Sequence, residues 1–115
     1  MVEYHATDDR MLDGVLAALA DPTRRAIMAA LAGGERRVTD LAAPFDMSLN
    51  AVSKHVKTLE RAGLVRRRRA GREHFVIANP APIEKTAEWF DAQRQFWNAR
   101  LDRLEALIRE EDGDE

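Results

Sequence analysis

The sequence predicts a mainly α-helical fold of about five helices with one small β-hairpin. Three observations carry this reading. Leu, Ile, Val and Met recur every three to four positions in five separate segments, the spacing of one helix face. Caps and stops punctuate those segments at Asp21-Pro22, Gly33-Gly34, Ser48 and Gly63. Between residues 64 and 77 the texture changes to two strand-like runs around Ala70-Gly71.

At 115 residues the chain is expected to form a single domain with a modest core. It has no cysteine, which excludes disulfides, thiolate metal sites and thiol switches. No apolar run approaches the ~20 residues of a membrane span. The start, MVEYHATDDR, is too polar and acidic for a signal peptide, so a cytoplasmic location without membrane attachment is expected. The net charge of −2 hides a polarised distribution. Residues 54–74 hold eight Lys/Arg against Glu60 and Glu73, while the remainder is strongly acidic. Such a block marks where a polyanion would bind.

Taken in order, residues 1–10 are expected to fray. Met11, Leu12, Val15, Leu16 and Leu19 then build a first helix. Asp21 caps a second, with Pro22 at its first position, where a missing N–H costs nothing. It runs through Ile27, Met28 and Leu31 to Gly33-Gly34. A short third helix begins at Val38-Thr39-Asp40, with Thr39 as its expected cap, and Pro44 ends it near Ala43.

The fourth helix, within Ser48–Leu64, organises the rest. Ser48 is its N-cap and Gly63 its left-handed stop. At ~100° per residue, Leu49, Val52, Val56 and Leu59 fall on one side. Asn50, Ser53, Lys54, Lys57 and Arg61 fall on the other, and Glu60 lies between the two. The polar face offers an amide, a hydroxyl and cations without a carboxylate, which suits base edges and phosphates. Short helix, tight turn and longer amphipathic helix make a helix-turn-helix over residues 39–63. Residues 64–78 follow as a wing with its basic tip at Arg69–Arg72, and the first strand, poor in apolar residues, is expected at an edge.

Asn79-Pro80-Ala81-Pro82 leads into a long helix, expected over 82–109 and roughly 40 Å long. Ile83, Ala87, Phe90, Trp97, Leu101, Leu104 and Ile108 follow 3–4 spacing, with Arg94 interrupting and Trp89, Phe96 and Leu107 widening the stripe. So large an apolar stripe exceeds what the domain can bury, and a second subunit would cover it. The acidic tail, 110–115, is expected to be flexible.

Together these pieces resemble the ArsR/SmtB-type winged helix-turn-helix transcriptional repressors. The matching segments are LADPTRRAIMAAL (19–31), DLAAPFDMSLNAVSKHVKTLERAGLV (40–65), RRRRAGREHFVI (66–77) and EWFDAQRQFWNARLDRLEALI (88–108). The likeness covers nearly the whole chain, and MSLNAVSKHVKTLERAGLV is its specific part. It implies a homodimer joined through the first and last helices, here Leu12 and Leu16 with Phe90, Trp97, Leu101, Leu104 and Ile108. Such dimers bind an imperfect inverted repeat in double-stranded DNA and block transcription. By position, Ser48, Asn50, Ser53, Lys54 and His55 match the DNA-contacting part of the family's reading helix, and Arg68, Arg69 and Arg72 match its wing. Lys57 joins them as a phosphate contact from its place on the polar face.

The sequence departs from the metal-sensing members. The third helix, RVTDLAA, has no thiol, and the last helix has no histidine. His5, His55 and His74 lie in the tail, the reading helix and the wing, so no metal site and no cofactor are expected. Some relatives of this branch resemble regulators encoded beside START-like domain proteins. That likeness implies a small organic effector or a protein partner as the release signal.

An enzyme has little to stand on. The chain's two serines, Ser48 and Ser53, are both on the reading helix, and Ser53 and His55 point ~200° apart there. The competing function is a winged helix used for protein or RNA contact. RNA modules place stacking aromatics beside the basic patch. Here Trp89, Phe90, Phe96 and Trp97 are on the far helix, with only Phe75 and His74 near the wing. His55, at the margin of the two faces, is assigned to DNA contact from the resemblance; its chemistry allows an internal hydrogen bond equally.

Overall fold

The computed structural model describes residues 6–113. The expectations for residues 1–5 and 114–115 lie outside that range. The chain divides into two compact units, one through Glu84 and the other from Lys85 onward.

The first unit is the predicted winged helix-turn-helix. Its elements are α1 (Ala6–Ala18), α2 (Pro22–Leu31), β1 (Arg36–Arg37), α3 (Val38–Ala42), α4 (Leu49–Arg61), β2 (Val65–Ala70) and β3 (Glu73–Ala78). A final helix, α5 (Ala81–Gly113), begins in this unit. Helix α1 starts at Ala6, so residues 6–10 are helical rather than frayed. The core joins Val15 of α1, Ile27 and Leu31 of α2, and Leu41 of α3 to Val52, Val56 and Leu59 of α4. Leu64, just ahead of β2, and Val65 and Val76 of the sheet seal it. Each such side chain, fully buried, contributes roughly 1.5–3 kcal/mol.

The local signals on α4 hold. Ser48 Oγ accepts the Ala51 N–H at 3.1 Å. Gly63 takes φ +78°, and the Leu64 and Gly63 N–H groups return to the Leu59 and Glu60 carbonyls, both at 3.0 Å. That pair of bonds is a Schellman stop, and the left-handed residue it needs is why glycine stands there. Two local details differ from expectation. Leu49 is exposed, because it sits at the edge of the apolar arc on the first turn. Arg37, not Thr39, is the N-cap of α3, and it makes no side-chain capping bond. The strand β1 runs directly into the helix, burying Val38 in the first turn.

The sheet order is β1-β3-β2, antiparallel throughout, with β2 at an edge as its composition implied. Strand β1 was not anticipated; two residues are too few to show a period. Arg67 pairs with Val76 and Arg68 with Phe75. The hairpin turns through Gly71-Arg72, and Gly71 at φ +63° supplies the positive φ that a tight hairpin of this kind requires at its first turn residue.

In the second unit, α5 runs as one helix to Gly113, past the expected end at Arg109. Trp89, Phe90, Phe96, Trp97, Leu101, Leu104, Leu107 and Ile108 are all exposed along it. Trp89 meets Phe90 edge-on with ring centres 5.1 Å apart, and the Arg100 guanidinium lies 4.7 Å from the Phe96 ring centre. Among the described residues no helix is long and apolar enough to cross a membrane.

Candidate nucleic-acid interface

A groove of about 480 Å³ lies between α4 and the wing. Ser53 and Lys57 line it from α4, and Arg67, Arg72 and His74 from the wing. Arg37 and Thr39 close its third side, and Val38 and Leu49 add apolar surface. Glu73 contributes the one carboxylate on the groove wall, and Arg37 Nη1 holds it at 2.7 Å. The walls therefore present an excess of cationic donors to whatever enters.

Helical period places the rest of the polar face outside this groove. Asn50, Lys54 and Arg61 are exposed there, and Lys57 is exposed on the groove wall. Ser48 is exposed too, although its Oγ is engaged as the cap. His55 is half-buried, with Nδ1 3.3 Å from Nη1 of Arg24. Arg24 also reaches the end of α1, with Nε 2.5 Å from the Ala18 carbonyl oxygen. Asp21, at the start of the same helix, accepts the Thr23 N–H at 2.8 Å and the Arg24 N–H at 3.2 Å. The Arg24 N–H is the main influence holding the Asp21 carboxyl below the usual carboxylate range. Partial burial opposes it, and the Thr23 N–H and the Arg24 charge assist, as does His55 when its ring is protonated.

The period of two sorts the wing arginines onto opposite faces. Arg67 and Arg69 share the face of buried Val65, while Arg66 and Arg68 point the other way. On the α4 side, Arg67 Nη2 donates to the Ser53 carbonyl at 3.3 Å and Nε lies 3.6 Å from Glu60. Arg68 is held by Glu35, 2.9 Å from Nε and 2.6 Å from Nη2, and lies 4.6 Å from the Phe75 ring centre. Arg69 Nε bonds the Gly71 carbonyl at 3.2 Å, bracing the turn, and Arg72 projects from it, exposed. Of the three wing arginines expected at the DNA, Arg72 lines the groove, with His74 and Arg67, while Arg68 and Arg69 lie outside it. Sequence reasoning missed Arg37, Thr39 and Arg67. For Arg67 the alternation with Val65 was the available signal. Arg37 and Thr39 reach the groove only through the pairing of β1 with β3.

Among the described residues no group of three His, Asp or Glu side chains is placed to hold a metal ion. His74 lines the groove and His55 sits against Arg24.

A family model described as a helix-turn-helix domain matches residues 19–68. The chain is 37% identical over 105 residues to the HTH-type transcriptional regulator Rv2034 of Mycobacterium tuberculosis, covering 91% of this chain and 95% of that one. It is 30% identical to the transcriptional repressor SdpR of Bacillus subtilis, over 68% of this chain and 87% of that one. The crystal structure of an ArsR family transcriptional regulator superposes with a TM-score of 0.75 at 36% identity, covering 85% of this chain and 97% of that one.

Proposed function

Because the chain belongs to the ArsR/SmtB family of winged helix-turn-helix transcriptional regulators, a family of DNA-binding proteins and not of enzymes, we propose that it works as a homodimeric repressor on an inverted-repeat operator. One observation carries the DNA reading: the carboxylate-free face of α4 continues into a groove walled by Lys57, Arg67, Arg72, Arg37 and His74. The SdpR likeness supports repression as the outcome.

In this reading two α4 helices enter successive major grooves about one helical turn apart. Asn50 reads adenine through its amide and Lys54 reads guanine. Ser48 and Ser53 approach the backbone at the head of the helix. Lys57, Arg61, Arg69 and Arg72 hold phosphates, while Arg68, tied to Glu35, braces the wing. The dimer forms through the exposed stripe of α5, joined by Leu12 and Leu16 of α1. Phe90, Trp97 and Leu104 alternate with Leu101 and Ile108 in steps of three and four, the seam of a helix pair, and Arg94 takes one seam position. Release is assigned to a small organic effector or a protein partner, because the thiol chemistry of many sensors has no residue to use here.

The test is a binding titration against the DNA upstream of the protein's own gene and a random duplex of equal length, with mass measured at micromolar concentration. Tight, selective binding by a dimer, indifferent to chelator, is expected. Equal weak binding to both duplexes, or a persistent monomer, would overturn the proposal.

A further inference from the structure

We propose that Arg24 and His55 form a positioning pair that fixes the roll of the reading helix against the α1–α2 corner, and that the pair holds only while the His55 ring is neutral. The inference rests on the operator-binding reading for its consequence but not for its geometry.

One guanidinium makes three connections. Arg24 Nε donates to the Ala18 carbonyl at 2.5 Å, and Nη2 to the Ala17 carbonyl at 3.3 Å. Those are carbonyls of the last turn of α1, where Ala17's also accepts the Ala20 N–H at 3.3 Å. Nη1 points across to His55 Nδ1 at 3.3 Å, 31 residues along the chain. A guanidinium is donor only, so Nδ1 must be the acceptor, and the ring carries its proton on Nε2. Both side chains are half-buried, which limits competition from water.

The opposite flank of α4 is held in the same way. Arg67 of β2 reaches the Ser53 carbonyl and Glu60. At ~100° per residue, His55 lies on one side of the buried Val52–Val56–Leu59 stripe, and Ser53 and Glu60 lie on the other. Two guanidiniums from different elements thus oppose rotation of α4 about its own axis. The hydrophobic effect has no direction of its own, so these bonds add an angular restraint to the shape of the packed stripe. A roll of ~10° displaces a polar atom ~6 Å from the axis by about 1 Å. Hydrogen bonds to base edges do not survive that displacement.

Protonation of His55 removes the acceptor and sets a second cation against Arg24. The charged groups placed beside the ring are Arg24 and Asp21, both at the start of α2; on α3, which also packs against α4, Asp40 is paired with Arg37 at 3.6 Å. On α4 itself the neighbouring Lys54 is exposed, and from β2 Arg67 turns to the other flank. One carboxylate against two cations leaves the pair unfavourable, so the sign is set: acid loosens the helix.

The first arm needs no DNA. Folding equilibria of the full chain are measured for Arg24→Ala, His55→Ala and the double variant at neutral pH. The expected coupling is about 3- to 10-fold in the folded-to-unfolded ratio, as for one partly buried hydrogen bond; additive losses would overturn the pair. The second arm uses a duplex selected by the wild-type protein from a random pool, compared with its scrambled sequence between about pH 8 and 5, the span in which imidazoles titrate. His55→Asn places an unprotonatable amide oxygen near the Nδ1 position. Wild-type selectivity is expected to fall with acid while His55→Asn holds it; His74 is present in both proteins, so its contribution cancels. If acid instead strengthens wild-type binding relative to His55→Asn, His55 is a phosphate contact and the proposal fails. A pool that yields no selected duplex would refute operator binding, and the first arm still decides the pair.

Discussion

Replacing Arg72 and Arg68 by alanine, one at a time, separates a phosphate contact from a brace. Arg72 stands exposed on the hairpin turn and lines the groove. Arg68, four residues earlier, is on the face of β2 opposite groove-lining Arg67, with its guanidinium on Glu35. Each phosphate neutralised contributes about 0.9 to the slope of log affinity against log salt. Loss of one contact per wing in a dimer therefore lowers the slope by about 1.8. Between ~50 and ~200 mM salt, wild-type affinity should then fall about tenfold more than that of Arg72→Ala. Arg68→Ala should lower the slope by less than half as much, since Glu35 already cancels the charge and the wing merely loses a brace. The assay is fluorescence anisotropy on selected and random duplexes over that salt range. Equal loss of slope in the two variants would show that Arg68 leaves Glu35 for DNA, and the division of the wing by strand face would be wrong. An unchanged slope in Arg72→Ala would remove the groove from the interface altogether.

Asn50→Ala should cost ~1–3 kcal/mol at one base position and leave random DNA unaffected, read by competition with single-base operator variants; an equal loss on random DNA would refute base reading. Asp21→Asn keeps a capping oxygen but not the charge. The folded carboxyl titrates below its unfolded value of about 3.9. Its stabilisation is therefore present above that value and lost as pH falls through the lower, folded one. Wild type should be the more stable protein at neutral pH, with the gap closing in acid, read by urea melts at several pH values; a constant gap would refute the contribution of the Asp21 charge. Gly63→Ala should destabilise by ~1–2 kcal/mol in thermal melts, the cost of a left-handed non-glycine residue. The added Cβ would lie 3.6 Å from Pro82 Cγ, an ordinary contact, so crowding adds nothing.

What the sequence determined by itself is the part written in short-range chemistry. The Ser48 cap spans three residues, and the Gly63 stop closes within the last turn of α4. The buried Val52–Val56–Leu59 stripe is likewise periodic, and with the cap and stop it defines α4 and its polar face. The alternation of Val65, Arg67 and Arg69 was also legible, though its consequence for Arg68 emerged only with the strand register. Tertiary structure alone decided which donors meet which acceptors across the chain. His55 joins Arg24 over 31 residues and Arg68 joins Glu35 over 33. Strand β1 brings Arg37 to the groove by pairing with β3, far along the sequence. An arginine carries no local signal for its partner, because its long side chain and rigid fork of donors suit any nearby carbonyl, carboxylate or imidazole. Which one it finds depends on where the burial of the apolar core places the helices and strands around it.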